Sequence, residues 1–188
     1  MVGRGKPYLV GTQEFAALYG VEKQMPRQWI SRGALDRETA VVISGQMYWP
    51  LGVAVEFGKQ GRGKALDEEV LARLRESQGP GWTPAAKAEL PPIVGQQELV
   101  EVFRLPSQPT LVTAIDSGRF PPADWQLGGS GGLWLLDTVL GEEALARLRE
   151  TARSLPWVPD EEVVRALREG RYDGPGAVVL PRGRMASK

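Results

Sequence analysis

Val10-Gly11-Thr12-Gln13-Glu14-Phe15 is answered further along the chain by Val94-Gly95-Gln96-Gln97-Glu98-Leu99. The correspondence continues. Ile30-Ser31-Arg32-Gly33 returns as Ile115-Asp116-Ser117-Gly118, and Tyr48-Trp49 as Leu133-Trp134, with one extra residue in the second copy between the frames of Gly20 and Trp29. Two copies of a stretch this long describe a duplicated small domain, since a solenoid needs about three or more repeats to bury its units.

Each copy reads as helix, tight turn, helix and β-hairpin. In the first, Thr12 is the expected N-cap, and Phe15, Leu18 and Tyr19 share one helical face. Gly20 ends that helix in the left-handed conformation, and Val21 is the buried residue of the turn. Glu22 to Arg32 forms the second helix, with Trp29 and Ile30 inward; Pro26 is tolerated only in a first turn, so the helix starts between Lys23 and Met25. Gly33 stops it. Ala40 to Ile43, Ser44-Gly45-Gln46 and Met47 to Trp49 read as strand, turn and strand. Two short helices about a glycine turn are the helix-turn-helix unit, whose second helix enters the major groove of DNA, and a following hairpin is a wing.

The second copy repeats the plan. Leu99, Val102 and Phe103 restate the first helical face, Arg104 stands for Gly20, Leu105 for Val21, and a helix opens at Pro106 to Thr110 and runs to Ser117. Asp124 to Leu127 and Leu133 to Leu136 are the expected wing strands about a flexible Gly128-Gly129-Ser130-Gly131-Gly132 tip, and Asp137 is the expected cap of the next helix. Outside the repeats, Leu51 to Phe57 starts a helix, and Asp67 to Ser77 is a capped one with Val70, Leu71 and Leu74 inward. Leu71 to Ser77 returns as Leu145 to Thr151, and Asp67 to Val70 as Asp160 to Val163, within helices at 142–152 and 160–170. Trp82-Thr83-Pro84 returns as Trp157-Val158-Pro159, the Trp residues reading as packing anchors. The Pro-rich stretch 79–92 makes a semi-rigid connection. From Asp173 the tail reads as disordered, except that Ala177 to Leu180 forms a short strand or a docking segment. The fold expected is mainly α with small β-hairpin wings: a first unit at 1–85, a second at 86–157, and a C-terminal helix and tail at 158–188.

The chain has 23 basic and 23 acidic residues, which hides an asymmetry. Residues 1–64 carry nine Lys/Arg against five Asp/Glu, and residues 91–140 carry two against five. With neither cysteine nor histidine, thiol chemistry, zinc sites built on those residues and nucleophile–histidine pairs are excluded. No nucleophile, base and metal ligand cluster, so neither an enzyme nor a cofactor is expected. No run approaches membrane-spanning length and no apolar targeting segment opens the chain, so the expected setting is cytoplasmic and nucleoid-associated.

Leu9 to Phe15, the Gly20-Val21 turn, the second helix and the wing ending at Trp49 resemble the small MerR-like winged helix-turn-helix domains, which include excisionase-like and AlpA-like proteins. In the second copy, Arg119-Phe120-Pro121-Pro122-Ala123 followed by Gly132-Leu133-Trp134 resembles that family's link from recognition helix to wing. The likeness covers most of 8–58 and 92–142. It departs at Pro26 and Pro109, and in the absence of Lys or Arg from Ser107 to Gly118. It implies a sequence-specific binder of double-stranded DNA, a repressor or other regulator of phage, plasmid or bacterial type. Two alternatives stay open. One is a factor that directs excision or organises DNA. The other is an adaptor whose acidic second unit binds a recombinase, a polymerase subunit or another copy of itself.

The expected DNA-facing residues follow from the helix-turn-helix geometry. Arg27 and Arg32 approach guanine or phosphate, with Lys23 and Ser31 beside them, and Gln24 and Gln28 read adenine. Thr12 and Gln13 hold a phosphate, and the tip residues Ser44 and Gln46 touch the minor groove or backbone. In the second unit Gln96, Ser107, Gln108, Thr110, Thr113, Arg119 and Ser130 take matching places. Arg4 and Lys6 form either a frayed end or an arm along the DNA, and Lys59, Arg62 and Lys64 lie in a flexible basic loop that is either simply solvated or follows the DNA backbone.

Overall fold

The structure is a computed structural model and describes residues 5–61, 64–151 and 155–179. The expectations for Arg4, Arg62 and Leu180 fall outside these. The chain is mainly helical with small sheets, as expected. No helix among the described residues is long and apolar enough to cross a membrane.

A two-residue strand β1 (Lys6–Pro7) precedes β2 (Leu9–Gly11), α1 (Thr12–Leu18) and α2 (Met25–Ser31). The hairpin β3 (Val41–Ile43) and β4 (Gln46–Pro50) leads into α3 (Leu51–Lys59) and α4 (Glu68–Gln78). β4 lies between β2 and β3, antiparallel to both. β5 (Gly81–Trp82) pairs in parallel with β1. The second unit follows with β6 (Ile93–Val94), α5 (Gln96–Val102), α6 (Gln108–Asp116), β7 (Trp134–Leu135), α7 (Leu136–Leu140), α8 (Glu142–Thr151) and α9 (Glu161–Arg168).

The duplication extends to the register of individual bonds. Val10 pairs with Trp49 as Val94 pairs with Trp134, and Leu9 with Pro50 as Ile93 with Leu135. Val41 opposes Tyr48 as Trp125 opposes Leu133. Asp67 caps α4 and sends its own amide to Leu18 O, at the end of α1; Asp160 caps α9 and sends its amide to Val102 O, at the end of α5. The partner of α4 is therefore α9. The likeness of 71–77 to 145–151 marks no structural equivalence, because that stretch belongs to α8, an addition to the second unit.

Each unit has its own core. In the first, Phe15 meets Trp49, Phe57 and Trp29 at ring separations of 5.2, 5.6 and 5.7 Å, and Leu71 and Leu74 close the cluster from α4. In the second, Phe103, Phe120, Trp134 and Trp157 pack edge to face or tilted, Phe103 to Trp157 at 5.2 Å. A third core lies between the units. It is built from corresponding positions of each: Leu9 with Ile93, Val41 with Trp125, Ile43 with Leu127, and Tyr48 with Leu133. An interface made twice from one set of positions has the character of a two-fold contact.

The turn after the first helix separates the units. Gly20 takes φ +58°, and Arg104 holds φ +48° in its place. A side chain in the left-handed region costs about 1 kcal/mol or more relative to glycine. Here it aims the guanidinium at Asp160, Nε to Oδ2 2.6 Å, which joins the α5 turn to the cap of α9. That contact holds the Asp160 carboxyl below its usual range.

Several expectations need correction. The N-cap of α1 is Gly11, not Thr12, because Glu14, third in the helix, reaches back to the Gly11 amide at 3.0 Å. The expected strand Asp124 to Leu127 is irregular and holds one bridge, Trp125 to Leu133; Pro121 and Pro122 remove donors just before it, and Asp124 spends its carboxylate on the Leu135 amide. Asp137 is not a cap. It sits in the first turn of α7 and pairs with Arg168 at 3.2 Å. Lys59 ends α3 and pairs with Glu56 rather than lying in a loop, while Lys64 is exposed. Residues 173–176 are docked rather than disordered, Gly176 O accepting the Gly45 amide, while 177–179 follow the docking alternative, with Val179 packed on the first core.

Trp49 and Trp134 are 0% and 1% exposed, so replacing either by Ala should cost about 3–5 kcal/mol in urea unfolding. Their edges differ. Trp134 Nε1 donates to Pro121 O at 2.9 Å, whereas Trp49 Nε1 is buried without a partner among the described residues. Trp49→Phe should therefore be the milder of the two Phe substitutions, by about 1 kcal/mol. Equal losses would contradict this difference.

Candidate nucleic-acid interface

The helix starts and hairpin tips of the two units interlock reciprocally. Glu14 accepts Gly11 N with Oε2 at 3.0 Å and Gly128 N, in the second unit's tip, with Oε1 at 2.6 Å. Glu98 accepts Gly95 N with Oε2 at 3.0 Å and Ser44 N, in the first unit's tip, with Oε1 at 2.7 Å. The Ser44 hydroxyl adds a 2.5 Å bond to Glu98 Oε2 and accepts from Gln97 N at 3.0 Å. Each glutamate thus caps its own helix with one oxygen and holds the other unit's hairpin with the second. The approach requires glycine at Gly95, where a Cβ would stand 2.3 Å from Ser44 Oγ. Gly176 closes over Glu98 in the same way, at φ +91° with a would-be Cβ 2.4 Å from Oε1.

Two adjoining clefts flank the interlocked tips and share Gln97 as well as two tip residues, Ser44 and Gln46. The first is lined by Thr12, Gln13, Lys23, Gln24, Arg27, Gln97, Gly128 and Gly129 besides these two. The second is lined by Tyr48, Gln96, Gln97, Gln108 and the Gly131–Leu133 return. The leading ends of α1 and α2 thus meet one cleft, and those of α5 and α6 meet its neighbour. The chemistry of the two differs. Among the described residues, no ion pair engages Lys23, Arg27 or Arg32. In the neighbouring cleft, Gln108 Nε2 donates to Gln96 Oε1 at 2.7 Å and Gln96 Nε2 to Gly131 O at 2.9 Å, an uncharged amide chain.

The expected site residues divide accordingly. Thr12, Gln13, Lys23, Gln24 and Arg27 converge in one cleft, although Gln24 is tied to Glu22. Gln28, Ser31 and Arg32 lie beyond its lining, Gln28 half-buried and the other two exposed. In the second unit Ser107 bonds Thr110 at 3.1 Å, Thr113 bonds back to Pro109 O at 2.9 Å, and Arg119 bonds Ser117 Oγ at 2.8 Å, all outside the cleft. Ser44 and Gln46, expected to touch DNA, are committed within the protein. Gln46 Nε2 donates to Gly129 O at 3.1 Å, and Gly45 N to Gly176 O at 2.9 Å. Ser130 is held by Leu127 O at 3.0 Å. Lys6 is no free arm either. Its ammonium donates to Asp124 O and lies 5.4 Å from the Trp125 ring centre, whose Nε1 binds Pro7 O. Burial lowers its pKa, opposed by Asp124.

Glu14, Glu98, Gln97 and Tyr48 are the members that residue reasoning overlooked. The signal was present: Gly11-x-x-Glu14 recurs as Gly95-x-x-Glu98, a capping glutamate retained in both copies. Tyr48 lies within the influence of both carboxylates. Burial pushes its phenol up to about 12, opposed by a hydrogen bond with Ser130 and reinforced by Glu14 and Glu98. The folded state prefers the neutral phenol, so this contribution to stability is complete below about pH 10, where the unfolded phenol ionises, and is lost as pH rises toward 12. Spectrophotometric titration of the native protein should lose a late ionisation step near pH 12 in Tyr48→Phe. Loss of a step near pH 10 instead would refute the burial argument.

No family model matches this chain, and neither a curated protein nor a solved structure matches it.

Proposed function

We propose that this protein binds double-stranded DNA through α2 and α6, as a non-catalytic regulator of phage, plasmid or bacterial type built from two tandem winged helix-turn-helix units. One observation carries the reading. Among the described residues, Lys23 and Arg27 have no ion-pair partner; they stand at the leading end of the second helix of a helix, turn, helix unit, and the same end of the other unit opens beside it across the hairpin tips. Unpaired cations beside backbone amides suit phosphates and guanine edges. The acidic balance of the second unit supports a second reading in which α6 meets a protein, such as a recombinase, a polymerase subunit or another copy of this chain. The amide chain Gln108–Gln96–Gly131 at its leading end leaves no cation for phosphate there.

A salt series against random and selected duplexes tests the main reading. Selected DNA should be retained at salt that removes random DNA. In the same assay Arg27→Ala should cost about 1–3 kcal/mol and relax preference at one base position. Uniform loss over all sequences would place Arg27 on phosphate, and no loss would remove α2 from the interface. Under the second reading, Gln108→Ala and Thr113→Ala would leave DNA affinity untouched.

A further inference from the structure

We propose that Glu14 and Glu98 form a reciprocal latch that fixes the separation of α2 and α6, so that one chain reads a bipartite duplex of a single permitted spacing with two unlike halves. The inference rests on the DNA reading above and adds to it what sets the register of the two helices.

A carboxylate has two oxygens, and in each of these glutamates Oε2 serves its own helix start while Oε1 takes the amide of the opposite hairpin tip, with the Ser44 hydroxyl a further donor to Glu98 Oε2. Both latches act at the leading ends of α1 and α5, which pack on α2 and α6. Movement of either tip therefore breaks a bond at the base of the other unit's helix pair. Beneath the latches lies the shared apolar core of Leu9, Ile43, Tyr48, Ile93, Leu127 and Leu133, which resists sliding. The hairpin tips, which in a winged unit reach toward DNA, are here consumed in joining the units. Spacing is thus set by the protein rather than by the DNA. The halves are unlike because α2 brings Lys23 and Arg27, whereas α6 brings Gln108 held by Gln96.

Glu14→Gln and Glu98→Gln test the latch with little change in volume, since each turns one acceptor oxygen into an amide donor that faces an N–H. The chain has no cysteine, so Ser31→Cys and Ser117→Cys place two spin labels unambiguously, at exposed positions ending α2 and following α6. In the full chain without DNA, the label-to-label distribution should be single and narrow, and it should broaden in Glu14→Gln. Glu14 is only half-buried, so its variant serves even if Glu98→Gln fails to fold. An unchanged distribution in Glu14→Gln overturns the latch. In the second arm, unlabelled protein is offered a selected duplex with about five base pairs inserted at its centre, roughly half a helical turn. The parent should lose at least about tenfold in affinity, and Glu14→Gln much less, as a loosened linkage does. Equal tolerance in parent and variant overturns the spacing claim. Absence of any salt-resistant binding by the parent overturns the DNA reading and the bipartite site with it, while the label distances still decide the latch.

Discussion

The Glu98 carboxylate is 2% exposed and accepts from three donors, two of them on Ser44 and one on Gly95. A buried carboxylate is tolerable only when its oxygens are satisfied, and removing one donor costs about 1–3 kcal/mol or more. The first unit's hairpin therefore cannot leave the second unit's helix without stranding this group. Glu14 makes the matching contact from the other side, nearer to solvent. The hairpin tips, the glycines that permit their approach and the docked tail around Gly176 all follow from these two carboxylates.

The duplication explains why the contact is reciprocal. When two copies of one fold face each other, equivalent residues meet across the axis, and the core between them is assembled from one set of positions taken twice. Symmetry is then broken by single residues. Trp125 stands where the first unit has Val41, and its larger ring is covered by Lys6 and Pro7. This draws the N-terminal strand onto the second unit and occupies the cation that a free arm would carry. Arg104 replaces a turn glycine and links α5 to α9 instead. The result is a pair of units alike in register and unlike in surface, basic at α2 and uncharged at the leading end of α6. That contrast supports the proposal of a duplex with two different halves.

The features legible in the chain alone were local and periodic. The repeat was visible in Val10 to Phe15 and Val94 to Leu99, and the helix faces followed from Phe15, Leu18 and Tyr19 and from Leu99, Val102 and Phe103, all buried. The late start of α2 followed from Pro26, the first hairpin from its turn residues, and the burial of Trp49 and Trp134 from their place in the repeat. These features rest on neighbouring residues: proline geometry, glycine in the left-handed region and the spacing of apolar side chains. The place of Lys23 and Arg27 at the start of α2 was legible for the same reason.

Which polar groups remained available depended on contacts between distant segments. Ser44, Gln46, Ser130 and Lys6 have the composition of nucleic-acid contacts, yet each is engaged inside the protein by a residue more than 50 positions away or by a neighbouring turn. The second hairpin's glycines read as a flexible tip and are instead held by Glu14 and Gln46. Likewise α9, not α8, answers α4, because an amide to the end of α5 chooses between the two helices that sequence likeness to α4 offered. A hydrogen bond between distant segments leaves no periodic trace in the chain. Whether a polar side chain faces solvent or a buried partner depends on how the two units meet.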